Sequence, residues 1–324
     1  MHMNVSAKYS FINGLFAVGD SNSFFDFIVP GFIDIHCHGG GGMYFSDGAP
    51  TAIAAHRNAG TRIQIASLVT QEIETLKSQI NYLKDQDIYG IHLEGPYLST
   101  KYCGAHDPKL LKPPTISEIK ELLAVGEGAI KLITMAPELP GAIETIEYLT
   151  KHGVVVAIGH SAANSQDTRR AIEAGASVVT HFNNGMAKLG STDSLSQVAL
   201  QSDIFLEQIQ DGHHLSKLDS LTIVSKAANR IVAVTDAMSA AGCGDGDYQI
   251  GSLPVTVKNR VAKLSGTETL AGSTLTMLDS FYNYLPLVGF ELAVKYTSIN
   301  PAKVLSVNPY DGYIGIKNRE VTFL

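Results

Sequence analysis

From about residue 27 onward, short β-rich apolar runs alternate with amphipathic helical stretches, and that rhythm narrows the folds open to this chain more than any other feature. The runs are FIDIHCH (32–38), RIQIASL (62–68), YGIHLE (89–94), IKLITM (130–135), VVVAIGH (154–160), SVVTH (177–181), IFLEQIQ (204–210) and IVAVTD (231–236). Segments of helical period at 72–84, 117–125, 143–151, 166–174 and 217–228 lie between them. Eight strands that each return through a helix close naturally into a barrel. The spacing therefore predicts an α/β chain with a (β/α)8, or TIM-barrel, architecture.

The segment YQIGSLPVTVKNRVAKL (248–264) breaks the rhythm. It alternates like a hairpin with Lys258 and Asn259 near the turn, and reads as an insertion after the eighth strand. Helices are expected again at 273–284 and 291–296, on the barrel exterior. The ends, 1–27 and 313–324, are short and strand-like and are expected to pair as a small β-layer. The expected organisation is thus a barrel over 28–312 and a small β subdomain from 1–27 plus 313–324.

A net charge of −7, with 17% charged residues and no stripe of Lys and Arg, excludes a phosphate-backbone partner, so nucleic acid is not expected. No apolar run approaches a membrane span, and the start MHMNVSAKYSFING has no basic region followed by an apolar one. A cytoplasmic protein without a membrane partner is the expectation. Cys37, Cys103 and Cys243 are odd in number and far apart, which does not suggest a disulfide framework. Cys37, between two histidines, should point into the barrel wall, and Gly39 to Gly42 read as a flexible loop.

Chemistry-bearing side chains recur where the strands end, which is where α/β barrels carry their catalytic residues. The first strand ends His36-Cys37-His38, and residues i and i+2 of a strand share a face, so both imidazoles can reach one metal ion. An HxH is weak by itself, because packed or solvated histidines produce the same pattern. The third strand ends in Glu94, and the fifth and sixth in His160 and His181. Two His and one carboxylate with an open position form a catalytic site for zinc or another divalent metal. The eighth strand ends in Asp236, placed to take a proton from an attacking water; capping the next helix or ligating the metal are its alternatives.

Together these segments resemble the N-acetylglucosamine-6-phosphate deacetylases of the amidohydrolase superfamily. The likeness runs over most of the chain, through PGFID (30–34), HLEGP (92–96), GHS (159–161), THFNNGM (180–186), DGHH (211–214), VTD (234–236) and LAGS (270–273). It implies a metal-dependent hydrolase barrel in which Glu94, His160 and His181 bind the principal metal and Asp236 is the general base and acid. It further implies that Ala105 and His106 belong to a loop whose His contacts the acetamide carbonyl. Asn184, Gly185, His214 and the turn of Ala271, Gly272 and Ser273 then contact sugar and phosphate. The implied reaction is hydrolysis of the acetamide of a small amino sugar, giving acetate and a free amine.

Some superfamily members hold a second metal through HxH and a carboxylated Lys after the fourth strand. Here that strand ends Thr134-Met135-Ala136, so a second ion at His36 and His38 requires Glu94 to bridge, and the count is one or two ions per subunit. Zinc, iron, manganese and cobalt all suit such ligands. The family places an Arg shortly after the Asn-x-Met segment, where it reaches the substrate phosphate of the neighbouring subunit. This chain reads MAKLGSTD (186–193) there, and Lys188 offers a point charge without the bidentate fork. The 6-phosphate and a homodimer are the expectations this departure touches. The competing readings are another amidohydrolase reaction and a catalytically silent sugar-binding barrel.

Overall fold

The computed structural model describes residues 6–324. Its central element is an eight-stranded sheet in which every neighbouring pair is parallel. The strands are β1 (Phe32–Asp34), β2 (Thr61–Val69), β3 (Gly90–Glu94), β4 (Ile130–Met135), β5 (Val155–Ile158), β6 (Val178–Val179), β7 (Phe205–Gln208) and β8 (Ile231–Ala233). All eight expected strands are present, in the expected order. Helices Ile73–Leu83, Ile116–Gly126, Ala142–Lys151, Ser165–Glu173 and Lys217–Ala227 match the five read between them.

The barrel closes just beyond the regular strands. Cys37 and Ala237 form a parallel bridge, and the Asp236 N–H donates to the His36 carbonyl at 2.8 Å. Beneath this seam Thr235 Oγ1 donates to Asp34 Oδ2 at 2.6 Å, tying β8 to β1 through two buried side chains. Inside, Ile63, Ile65, Leu132, Val178, Val232 and Val234 form one apolar cluster, which Ala302, Val304 and Leu305 of helix Asn300–Leu305 join. Because strand side chains alternate, these faces continue toward the rim as Ser67, Thr134, Thr180 and Asp236. The floor is thus apolar and the rim polar.

Two helices were not legible. Phe45–Asn58 carries Pro50 and a break at Gly48 (φ −155°, ψ 49°), which interrupt its period; Leu195–Gln201 is too short to show one. The insertion is a three-stranded antiparallel sheet and not a hairpin, with strands Gly246–Ile250, Leu253–Lys258 and Val261–Leu264. Its second turn lies one residue later than read, at Asn259 and Arg260, both in left-handed conformation (φ 52° and 64°). The helix expected at 273–284 begins at Met277 after a Thr276–Asp279 capping box, since Ser273 is held back at the rim. The last helical stretch runs as Phe290–Val294, a π turn Lys295–Ile299 and Asn300–Leu305.

The terminal segments form a five-stranded mixed sheet, in the order Glu320–Phe323, Tyr313–Lys317, Phe25–Pro30, Ala7–Ile12, Leu15–Val18. Strand Phe25–Pro30 crosses the expected boundary at 27/28, and residues 1–5 of that layer lie outside the described residues. Gly39 to Gly42 are an ordered turn, not a flexible loop: Gly41 and Gly42 (φ 63° and 89°) donate to Ala241 and Ser239 at 2.8 Å each. Among the described residues, no helix is long and apolar enough to cross a membrane, and the three cysteines are unpaired.

Candidate metal and catalytic centre

Glu94, at the end of β3, is buried at the centre of the rim. Its Oε1 lies 3.1 Å from His181 Nε2, 3.2 Å from His160 Nε2 and 3.5 Å from His36 Nε2. Its Oε2 lies 3.1 Å from His38 Nε2 and 3.5 Å from His106 Nε2. Asp236 Oδ1 stands 3.4 Å from both His36 Nε2 and His38 Nε2. Residues remote in sequence therefore meet at one rim because their strands end at one level. His160, His181 and Asp236 have φ of 46°, 28° and 46°, a left-handed backbone that non-glycine residues adopt at a cost and that clusters at functional sites.

The second nitrogen of each ring shows where its proton sits. His160 Nδ1 donates to the Tyr102 carbonyl at 2.7 Å and His181 Nδ1 to the Asn184 carbonyl at 3.3 Å. Their Nε2 lone pairs consequently face each other at 2.9 Å. Two acceptors at that separation repel unless a cation lies between them, so this donor set fits a divalent ion. Two groups bring their ligand atoms within 4.8 Å of one another at this rim: Glu94, His160 and His181, and His36, His38 and Glu94. Glu94 belongs to both, as bridging requires.

Burial works against charge throughout the cluster. Even so, the His36 charge and a hydrogen bond from His106 hold the Glu94 carboxyl well below the usual range. Against the same burial, His36 and a hydrogen bond from His38 hold Asp236 low, so it is ionised at neutral pH. Burial lowers His106 to about 4, leaving a neutral ring. The Thr70 N–H donates to His106 Nδ1 at 3.4 Å, which fixes the ring proton on Nε2.

The cluster opens into a cavity of about 300 Å³, the lower end of the range for small-molecule sites. His38, Glu94, Ala105, His106, His160, His181, Asn184, Gly185, His214, Asp236 and Gly272, all named from the sequence, line it. His36 lies behind this wall. Ala271 and Ser273 also stay off the wall: Ser273 Oγ donates to the Thr235 carbonyl at 2.5 Å and its N–H to the Asp236 carbonyl at 2.7 Å, so this turn braces the strand end. Lys188 turns inward, Nζ to the Asn183 carbonyl at 2.5 Å.

The amidohydrolase family profile matches residues 27–318, the whole barrel and part of the terminal layer. The chain belongs to the amidohydrolase family. As an amidohydrolase it is an enzyme that hydrolyses amide bonds. It is 33% identical over 306 residues to an N-acetylgalactosamine-6-phosphate deacetylase of Escherichia coli O157:H7, covering 90% of this chain and 80% of that one. It is 30% identical over 299 residues to an N-acetylglucosamine-6-phosphate deacetylase of Vibrio furnissii, covering 86% and 74%. Its structure superposes on a variant of the Mycobacterium smegmatis N-acetyl-D-glucosamine-6-phosphate deacetylase in complex with N-acetyl-D-glucosamine-6-phosphate. The TM-score is 0.92 at 34% identity, over 98% of this chain and 96% of that one.

Sequence reasoning missed Glu207, fully buried on β7 and bonded to His36 Nδ1 at 3.0 Å. A Glu inside the apolar run IFLEQIQ was the available signal, since a buried carboxylate needs a partner. Ile250, Glu268, Thr269 and Leu270 of this amidohydrolase's cavity wall were also missed. They come from the insertion and the loop after it, which carry no strand-end pattern.

Proposed function

We propose that this amidohydrolase removes the acetyl group of an N-acetyl amino sugar phosphate, N-acetylglucosamine 6-phosphate in the first place, giving glucosamine 6-phosphate and acetate. The observation that carries the reading is the meeting of Glu94, His160, His181 and Asp236 at the mouth of a cavity sized for a small molecule. Similarity to sugar-phosphate deacetylases over nearly the full chain supports the substrate class.

Glu94, His160 and His181 would hold one divalent ion, with zinc the first choice and iron, manganese or cobalt the others, and His36, His38 and Glu94 a second. When bound, such an ion supplies Lewis acidity toward the water and the amide carbonyl. The protein's own groups do the rest. His106 presents its Nε2–H to the acetyl oxygen, where negative charge develops. Asp236, ionised and facing the cavity, takes a proton from the attacking water as the new C–O bond forms. It returns that proton to the sugar nitrogen as the C–N bond breaks, so one water is consumed for each acetate released. Asn184, Gly185 and His214 contact the sugar and its phosphate, and Asp211 orients His214 through a 2.7 Å bond to Nδ1.

The galacto epimer is a second reading, favoured by the E. coli relative. The unphosphorylated sugar is a third, favoured by a cavity wall in which the described residues include no Lys or Arg. Acetate release should be measured for N-acetylglucosamine 6-phosphate, its galacto epimer and N-acetylglucosamine. The highest kcat/KM is expected for the first; acetate from none of the three overturns the reading.

A further inference from the structure

The reaction just described gives Glu207 no task, although its surroundings are specific. The side chain is fully buried on β7. A single oxygen, Oε2, accepts from His36 Nδ1 at 3.0 Å and from the His181 backbone N–H at 3.0 Å, while Oε1 has no partner among the described residues. That one atom therefore grips a ring just past β1 and the main chain just past β6, one from each candidate ion group.

Holding the Nδ1 proton of His36 fixes both the tautomer and the tilt of the ring. Its Nε2 is left 3.2 Å from His38 Nε2 and 3.5 Å from Glu94 Oε1. His38 lacks such an anchor: its Nδ1 is buried with no partner among the described residues. The preorganisation of this pair therefore rests on His36, and that of His36 on Glu207. We propose that Glu207 is a positioning residue that makes His36, His38 and Glu94 competent to bind a second divalent cation. This role rests on the two-ion form of the metal centre proposed above.

The test is to titrate metal-free protein with Zn²⁺ by calorimetry and to count bound metal in wild type, Glu207→Ala, Glu207→Gln and His36→Ala. Wild type is expected to take two equivalents. Glu207→Ala should weaken the second about 10- to 100-fold, the usual cost of losing such a partner, and leave the first nearly unchanged. Glu207→Gln, which keeps an oxygen for His36 Nδ1–H, should recover much of that loss and control for a poorly folded alanine variant. Two equivalents of wild-type affinity in Glu207→Ala overturn the role of Glu207 alone. A wild type that takes one equivalent, unaffected by His36→Ala, overturns the two-ion reading and this role with it. Equal weakening of both equivalents without rescue by Gln makes Glu207 merely structural and also overturns the proposal.

Discussion

The backbone N–H of Asp236 donates to the carbonyl of His36 across 2.8 Å, so the seam that closes the barrel also sets the proposed base against the HxH pair. The Asp236 carboxylate is thereby placed by main chain and not by a flexible loop. Asp236→Asn should keep fold and metal content but lose about 10²- to 10⁴-fold in kcat, the usual contribution of general acid–base catalysis. Acetate release together with metal analysis checks this; turnover within a few-fold of wild type would remove Asp236 from the mechanism.

Removing metal should cost stability as well as activity, because the Nε2 atoms of His160 and His181 face each other at 2.9 Å. At a free ion concentration a hundred times Kd, binding adds about 2.7 kcal/mol, seen as a Tm several degrees above that of chelated protein. His181→Ala should abolish most of the difference. Coincident melting curves with and without Zn²⁺ or Mn²⁺ would contradict a metal centre here.

Ion uptake at His36 should release protons. Burial opposes its charge, but the carboxylates of Glu94, Glu207 and Asp236 raise it well above the ordinary histidine value, so the metal-free ring holds its proton more tightly than a free imidazole does. A raised pKa means that the ion must displace this proton, and affinity for the second equivalent should rise with pH. Calorimetry in buffers of different ionisation enthalpy reads the proton count directly, and a count of zero contradicts the assignment.

Gly185 is required by space as well as by its left-handed backbone (φ +59°). A Cβ there would lie 3.1 Å from His160 Nδ1 and 3.4 Å from His181 Cε1. Gly185→Ala should therefore push on both rings, weakening metal binding and kcat together at a stability cost of about 1 to 2 kcal/mol for a Cβ in the left-handed region. Unchanged metal affinity in that variant would show that the rings tolerate the displacement.

Thr235→Val removes the hydroxyl that donates to buried Asp34 at the seam. Leaving a buried acceptor short of its partner costs about 1 to 3 kcal/mol, which denaturant melts should show as a lower midpoint. Loss of Asp236 positioning should lower kcat in parallel. A variant as stable as wild type would mean that the main chain closes the barrel unaided.

Eight strands and the residues at their ends were legible because both are local signals. A period of two announces a strand, and a polar side chain just past an apolar run announces a rim. That is why Glu94, His160, His181 and Asp236 could be named from residues alone, whereas His106, Asn184 and His214 needed resemblance to a known family. The extent of β1 was not legible: regular pairing stops at Asp34, and the backbone bends before Cys37 pairs with Ala237. Phe45–Asn58, the second turn of the insertion and the start of the helix at Met277 depend on interruptions and caps that the period does not carry.

By itself, then, the order of residues determined which side chains stand at strand ends and hence that imidazoles and carboxylates would crowd one rim. Only the closed barrel decided which of them face one another, with Glu207 behind His36, Lys188 folded onto Asn183, and Ser273 bracing Asp236 instead of lining the cavity. The reason is physical: strand periodicity sets the face on which a side chain lies, while its hydrogen-bond partners come from strands brought together by closure and packing, which no local pattern encodes.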